Sequence, residues 1–567
     1  VNGILYTSSN GLVVSGTSWS LPITTALVAG ATYSVTATIT NATGYTLSDS
    51  TTGELIIVVP DANCDVNRKY DKIVSGYHAS IALSSNGEYL AWGQDIASNG
   101  TTEVAPPISL KNSNYSTLSG TVLFTSIGGM GSGGEDQYIA LSSTGLYAWG
   151  KTGAVLNTGL KNSTVFGLIN TPTGGDPNTK LPLGVSPTDV TMMVAMYQTL
   201  SIVANGNVWM LVNLDPNLQG NAANLAATTW HKVKINASTD LTNVTAVRGQ
   251  FSSTTKNAMM ALTSSGQIYT WGSSTYLGNN TASVTKNYAT LMTLPVEFTN
   301  TNFPKMIGVT GSTISSISNT LYVLSNSGSL YALGNNTYKQ CGDFTTTERT
   351  SWVNVKQNAS TNFSNISFFT TQEHTAKMAG VAAITNAGGL YTWGDNDGFM
   401  LGRALAANSY DPGVPTGFTL GTDKAIFAEL GGHTLVYVKE GSTRFCYVGH
   451  RISGSMGEST SSSGDVTSFD CNNTPTISLC GAIPIAADPT KSTISANPTS
   501  IQANGSSTST IIVQLKNSAN VNLTSTGGTV VVTTTAGTLG SVTDNGNGTY
   551  TVTLTSSSTA GTTTLGF

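Results

Sequence analysis

The stretch Ala261–Gly272 reads ALTSSGQIYTWG. Apolar residues alternate with small polar ones, Ser265-Gly266 makes a turn, and a second alternating run ends in Trp271-Gly272. This is the pattern of a hairpin with one buried face, in which the turn glycine supplies a positive φ. The phrase returns at Ile81–Gly93 (IALSSNGEYLAWG, turn at Asn86-Gly87), Ala140–Gly150 (ALSSTGLYAWG), Val323–Gly334 (VLSNSGSLYALG) and Ala383–Gly394 (AITNAGGLYTWG). Ile202–Leu211 (IVANGNVWML) and Val436–Gly449 (VYVKEGSTRFCYVG) are looser copies. The copies follow one another at about 53–62 residues, about seven in all. A unit of this size cannot bury its own apolar face, so the copies must stack or close into a ring of small antiparallel sheets, a β-propeller.

These residues resemble the regulator-of-chromosome-condensation repeat. That repeat has Gly-His-Ser-x-Ala-Leu, a turn, Tyr-x-Trp-Gly, then a loop rich in Gly-Gln-Leu-Gly. Gly76-Tyr77-His78-Ala79-Ser80-Ile81-Ala82-Leu83 matches its first part and Gly432-His433-Thr434 echoes it. Leu277-Gly278, Gln340-Cys341-Gly342 and Leu401-Gly402 stand where its loop falls. The resemblance implies a fold and leaves function open. The family includes nuclear exchange factors, kinase-like scaffolds and secreted enzyme-inhibiting propellers.

The ends read differently. In residues 1–60, Tyr33, Val35, Ala37 and Ile39 alternate with polar residues, as in a half-buried strand of an antiparallel sandwich. Ser15-Gly16-Thr17-Ser18-Trp19-Ser20-Leu21 and the following run resemble the bacterial immunoglobulin-like modules of giant adhesins. In residues 490–567, Ile511, Val513 and Leu515 alternate with polar neighbours, as do Tyr550, Val552 and Leu554. Ala496-Asn497-Pro498 and Asp544-Asn545-Gly546-Asn547-Gly548-Thr549-Tyr550 resemble the immunoglobulin-like repeats of invasin and intimin. That resemblance implies a bacterial or archaeal cell-surface protein. The expected fold class is therefore all-β: a seven-bladed β-propeller with an immunoglobulin-like β-sandwich at each end. The expected boundaries are 1–60, a linker at 61–70, the propeller at 71–482, a linker at 483–489, and 490–567. Both end domains read as partial. The expectation is a chain that continues as a tandem array, or subunits that lend each other strands.

Composition narrows the function. Charged residues are 9 % of 567, and the net charge is −5, far below the usual charged share of about 25 %. Nothing here suits nucleic acid or an anionic membrane. No apolar run approaches the ~18 residues of a membrane helix. Sequons stand at Asn41, Asn114, Asn236, Asn243, Asn358, Asn362, Asn365 and Asn547, each a possible glycosylation site. The five cysteines, Cys64, Cys341, Cys446, Cys471 and Cys480, lack the spacing of a zinc site. The expected bridges are Cys64–Cys480, stapling first blade to last, and Cys446–Cys471, with Cys341 free.

No catalytic set emerges, and no cofactor or metal is expected. His78 and His433 occupy the repeat's own histidine position and read as structural. Gly128–Gly134 (GGMGSGG) lacks the Lys and helix of a phosphate cradle. Asp395-Asn396-Asp397-Gly398 opens like a calcium loop without its closing Glu. Trp92, Trp149, Trp271 and Trp393 sit at a regular strand end, which points to packing between blades rather than a sugar platform. Trp209 reads as their equivalent in the third copy, and Trp230 and Trp352 as core near outer strands. The expectation is a non-enzymatic extracellular adhesin-type protein. Its partners would be a surface protein or glycan ligand, and neighbouring immunoglobulin-like domains or identical subunits. The alternative is a structural spacer of a fibre, filament or coat.

Overall fold

Seven four-stranded antiparallel sheets follow one another along the described residues from Ile73 to Asp470, each with its strands in chain order. They belong to a computed structural model that describes six short strands within residues 1–72 and most of residues 73–567. Its larger breaks fall at 95–102, 130–136, 151–165, 312–318, 458–463, 475–486, 517–522 and 524–529. Among the described residues there is no α-helix, only 3-10 turns such as Pro216–Gln219.

The recurring phrase forms the second and third strands of each sheet. In the fourth sheet Asn257–Thr263 pairs with Ile268–Gly272, Met259 opposite Trp271. The first strands are Ile73–Ser75, Val122–Gly128, Val190–Met196, Val244–Phe251, Pro304–Thr310, Ile366–Thr371 and Ala425–Leu430. Each lies against the next, and Ala425–Leu430 lies against Ile73–Ser75. From the second sheet to the seventh, the first strand enters its pairing through a one-residue register shift, as between Val244 and Ala246. Such bulges raise the local twist.

The glycine of Trp-Gly has a backbone reason. At Gly272 φ is +125°, and a Cβ there would lie 2.3 Å from the Asn257 carbonyl oxygen. Gly449 repeats this with φ +113° and 2.2 Å to the His433 oxygen. Only glycine enters this close approach in the left-handed region.

The aromatics fill the space between sheets. Trp92, Trp271 and Trp393 are fully buried, and Trp149 is buried and stacks on Tyr138 at 5.3 Å. One apolar core runs through Val194, Met210, Met259, Trp271, Leu321, Phe369 and Trp393, joining the third to sixth sheets.

The chain divides into two units, one of them Val1–Asn67 with Ser85–Gly87. In it Val13–Ser15 pairs with Ser18–Ser20, Thr32–Tyr33 with Leu55–Ile56, and Thr38–Thr40 with Thr46–Ser48. Near the C-terminus, Thr493–Asn497, Thr508–Gln514 and Thr549–Thr555 form the body of a five-stranded antiparallel sheet. Ile511, Val513, Leu515, Tyr550, Val552 and Leu554 all point into its buried core.

Candidate functional site

Three tryptophans make the same hydrogen bond. Trp271 Nε1 donates to the Leu218 carbonyl at 2.8 Å, and Trp393 Nε1 to that of Gln340 at 2.9 Å. Trp92 Nε1 donates to Ser455 O at 3.1 Å, across 363 residues of chain. In each case the acceptor lies in the connection after the third strand of the preceding sheet; for Trp92 that sheet is the seventh. A glycine with positive φ stands two residues after each acceptor, at Gly220, Gly342 and Gly457. Gly342 is one of the loop glycines expected from the sequence, and Gly220 and Gly457 hold the same place in their own loops. A buried indole N–H needs such an acceptor.

Trp209 does not join this set. It pairs with Ile202 as Tyr269 pairs with Ala261, so it stands in the tyrosine position. Leu211, opposite Leu200, takes the tryptophan position. Trp209 is half-buried under Lys232, whose Nζ lies 5.3 Å from the ring centre. Trp230 is buried and donates to Lys180 O at 2.9 Å; Trp352, half-buried on an outer strand, donates to Thr293 O at 3.0 Å.

Below the tryptophans lies a polar node. In the fourth sheet Asp215 Oδ2 accepts from Asn257 Nδ2 at 2.9 Å and from Ser273 Oγ at 2.6 Å. The equivalent positions of the seventh sheet hold His433 and His450, with Asp397 in the preceding loop. His433 Nε2 lies 3.2 Å from Asp397 Oδ2, and His450 Nδ1 2.6 Å from Asp465 Oδ1. His78, from the first sheet, packs beside them with Tyr77. Gly432 N donates to Gly76 O at 2.8 Å, a direct main-chain link between the seventh and first sheets.

Asp395 opens the loop that carries Asp397. Burial, then the charge of Asp397, pushes its carboxyl up to about 6. An unfolded Asp titrates near 3.9. Between those values the native state binds the extra proton, so stability rises as pH falls from about 6 to about 4. Asp395→Asn is expected to flatten that limb and to raise the neutral-pH melting midpoint by about 2–4 °C. Melting curves from pH 4 to 7 check this, and parallel profiles for both proteins would refute it.

The first strands also carry buried polar groups. Arg248 Nε donates to Glu373 Oε2 at 2.9 Å, and Thr370 Oγ1 to Glu429 Oε2 at 3.2 Å. Arg248, Glu373 and Glu429 line a cavity of about 10 Å³, room for about one water. Sequence reading missed this set. The signal was there: a charge inside VTAVRGQF or AIFAEL, in a chain with 9 % charged residues.

Cys446 and Cys471 form a disulfide with Cα atoms 4.2 Å apart. It ties the third strand of the seventh sheet to the end of its outer strand. Cys341 is free and buried, and burial, then the charge of Asp343, pushes its thiol well up. Cys64 and Cys480 lie outside the described residues, as do Asn41, Asn114, Asn547, the turn at Asn86-Gly87 and all of Gly128–Gly134 beyond Gly129. Gly128 ends a strand, where a Cβ would meet the Met196 backbone at 2.8 Å; close packing, not a loop, sets its identity. Reducing Cys446–Cys471 releases a 25-residue separation and is expected to cost about 3 kcal/mol. A melt with and without reductant measures it; coincident curves would show that the bridge adds nothing.

The described surface offers no cluster of exposed tryptophans or tyrosines. Exposed large apolar side chains include Val284, Leu291, Val296 and Phe303, with Val296 92 % exposed. Asn302 Nδ2 donates to Glu297 O at 2.9 Å within this segment. In the C-terminal domain an open groove of about 310 Å³ is lined by Pro498, Ile501, Leu554 and Leu565. No helix among the described residues is long and apolar enough to cross a membrane.

Residues 488–567 match the family model for invasin, domain 3. Similar solved structures include human WBSCR16, 13 % identical over 65 % of this chain and 85 % of that one, with a TM-score of 0.46. Yeast RCC1 (Prp20), solved with Kap60 bound to it, is 15 % identical over 75 % and 88 %, with a TM-score of 0.47. The Yersinia pseudotuberculosis adhesin InvE is 41 % identical over 14 % of this chain and 22 % of its own, with a TM-score of 0.13. No curated protein matches the sequence. Both resemblances expected from the motifs, to RCC1-like propellers and to an invasin-type domain, recur among these comparisons.

Proposed function

We propose that this is a cell-surface adhesin-type protein in which a closed seven-bladed propeller is displayed by immunoglobulin-like domains. The observation that carries the reading is the invasin domain 3 match at 488–567, directly after the seven sheets in the chain. The disulfide Cys446–Cys471 suits an oxidising compartment outside the cell. The sequon residues Asn236, Asn243, Asn358, Asn362 and Asn365 are all exposed, as glycan acceptors on such a surface must be. The seven sheets act as blades, with Trp92 and the Gly432–Gly76 link closing the ring. Binding, not catalysis, is the activity: the exposed side chains of Val284, Leu291, Val296 and Phe303 offer contacts for a protein or glycan.

A screen of the whole chain against glycans and host-surface proteins tests this. Saturable binding that Val296→Asp with Phe303→Ser abolishes, at an unchanged melting midpoint, supports it. Absence of any saturable ligand, with self-association through the terminal domains, would replace it with a structural role in a surface fibre.

A further inference from the structure

We propose that Asn236, Asn358 and Asn504 are attachment sites for N-linked glycans, and that the other sequons of the described residues are not. The inference rests on the cell-surface reading and goes beyond it. An exposed asparagine is common to many sequons, whereas a transferase must also reach the middle residue and the hydroxyl of the Asn-x-Ser/Thr triplet. At Asn236-Ala237-Ser238, Asn358-Ala359-Ser360 and Asn504-Gly505-Ser506 all three residues are exposed. No other sequon among the described residues has that property.

The three share one build. Asn236 Oδ1 accepts from Ser238 N at 3.0 Å, from Ser238 Oγ at 3.1 Å and from Thr239 N at 3.0 Å. Asn358 Oδ1 accepts from Ser360 N at 3.1 Å and Ser360 Oγ at 3.0 Å. Asn504 Oδ1 accepts from Ser506 N at 3.0 Å, Ser506 Oγ at 3.1 Å and Ser507 N at 2.8 Å. Transfer would join Nδ2 to the anomeric carbon of a sugar delivered on a lipid diphosphate. The anomeric C–O bond breaks, the lipid diphosphate leaves, and one Nδ2 proton passes to a base on the transferase. Donors on Oδ1 stabilise the negative charge that gathers there as Nδ2 loses its proton. Two of the sites lie in equivalent hairpins: Val233–Leu241 reads VKINASTDL and Val355–Phe363 reads VKQNASTNF. Lys234 N donates to Gly220 O and Lys356 N to Gly342 O, while Leu241 N and Phe363 N return to Val233 O and Val355 O. These hairpins follow the third and fifth sheets. The connection after the fourth, Met292–Phe303, holds no sequon, so the sheets themselves do not require such a turn.

In the remaining described sequons the fold has already used a part the transferase needs. The middle residues Val244, Phe363 and Ile366 are buried, so engaging Asn243, Asn362 or Asn365 would pull a core side chain into water. Thr245 and Ser367 also spend their hydroxyls on the ladder, donating to Leu262 O at 3.2 Å and Ile384 O at 3.0 Å. After Asn335 the middle residue Asn336 is buried. Thr474, two residues after Asn472, is buried and donates to Phe445 O at 2.7 Å. Asn279 commits Nδ2 itself, which donates to Thr293 O at 3.1 Å.

Tryptic mapping with electron-transfer fragmentation, on the full chain isolated from its own cells, tests this. The peptide 235–248 (INASTDLTNVTAVR) carries Asn236 beside Asn243, and 357–377 carries Asn358 beside Asn362 and Asn365, so each holds its own control. A sugar mass is expected on Asn236, Asn358 and Asn504 and not on Asn243, Asn362 or Asn365. Ser238→Ala and Ser360→Ala, made in the same cells, should each remove the glycan at their own site and leave the melting midpoint within about 2 °C of the parent. Ser238→Thr should keep it. Location is read separately, by protease shaving of intact cells. A bare asparagine at any of the three positions overturns the proposal, and on a chain that shaving removes it does so while the surface reading stands. Glycan found equally on Asn243 and Asn365, or glycan that survives Ser238→Ala, overturns it as well and leaves the three triplets as turns that serve their loops alone.

Discussion

Trp271→Ala is expected to lower stability by about 3–5 kcal/mol. The indole is fully buried and packs in the core shared by the third and fourth sheets. The substitution also strands the Leu218 carbonyl, which loses its donor at 2.8 Å. Trp271→Phe separates the two terms, since it keeps most of the volume and loses only the N–H; it should recover more than half of the loss. Trp209→Ala supplies the contrast. That ring is half-buried, packs on the edge of the core that joins the second and third sheets, and carries Lys232 above it, so its loss should cost less, about 1–2 kcal/mol. Urea unfolding of the three variants measures these differences. A Trp271→Ala midpoint equal to the parent's would mean the indoles are a ligand platform and not the joints between sheets.

The contrast also shows how far the sequence could be read. The hairpins, the turn glycines and the alternating core of the C-terminal domain were legible because each is local: strand periodicity puts Ile511, Val513 and Leu515 on one face without knowledge of any partner. Trp209 was misassigned because residue type was weighed above spacing. Trp92, Trp271 and Trp393 each stand five residues after the turn glycine, and Trp149 four; five after Gly206 is Leu211, which is where the structure puts the joint. The polar nodes lay beyond such reading. Asp215 reaches Asn257 and Ser273 from the loop before their sheet, while His78, His433, His450 and Asp397 come from the first sheet, the seventh sheet and the sixth sheet's loop, where Ala425–Leu430 returns to Ile73–Ser75.

Charges also stand where strand patterning expects apolar residues, and there the second large effect is expected. Arg248 and Glu373 are 3 % and 4 % exposed and come from the fourth and sixth sheets, with the fifth between them. The pair therefore spans sheets that are not neighbours. Two charges at this depth are tolerable only together. Their attraction offsets a desolvation cost of several kcal/mol per ion, and removing one leaves the other uncompensated. Arg248→Met is expected to cost about 3–5 kcal/mol, and Glu373→Leu alone a similar amount. The double variant should regain most of that loss, since two apolar side chains of like volume need no partner. A double-mutant cycle in urea reads the coupling directly. Additive losses would mean that water or another group already satisfies each charge singly. A double variant close to the parent would show that the pair contributes little net stability and instead fixes how the fourth and sixth sheets are spaced across the fifth.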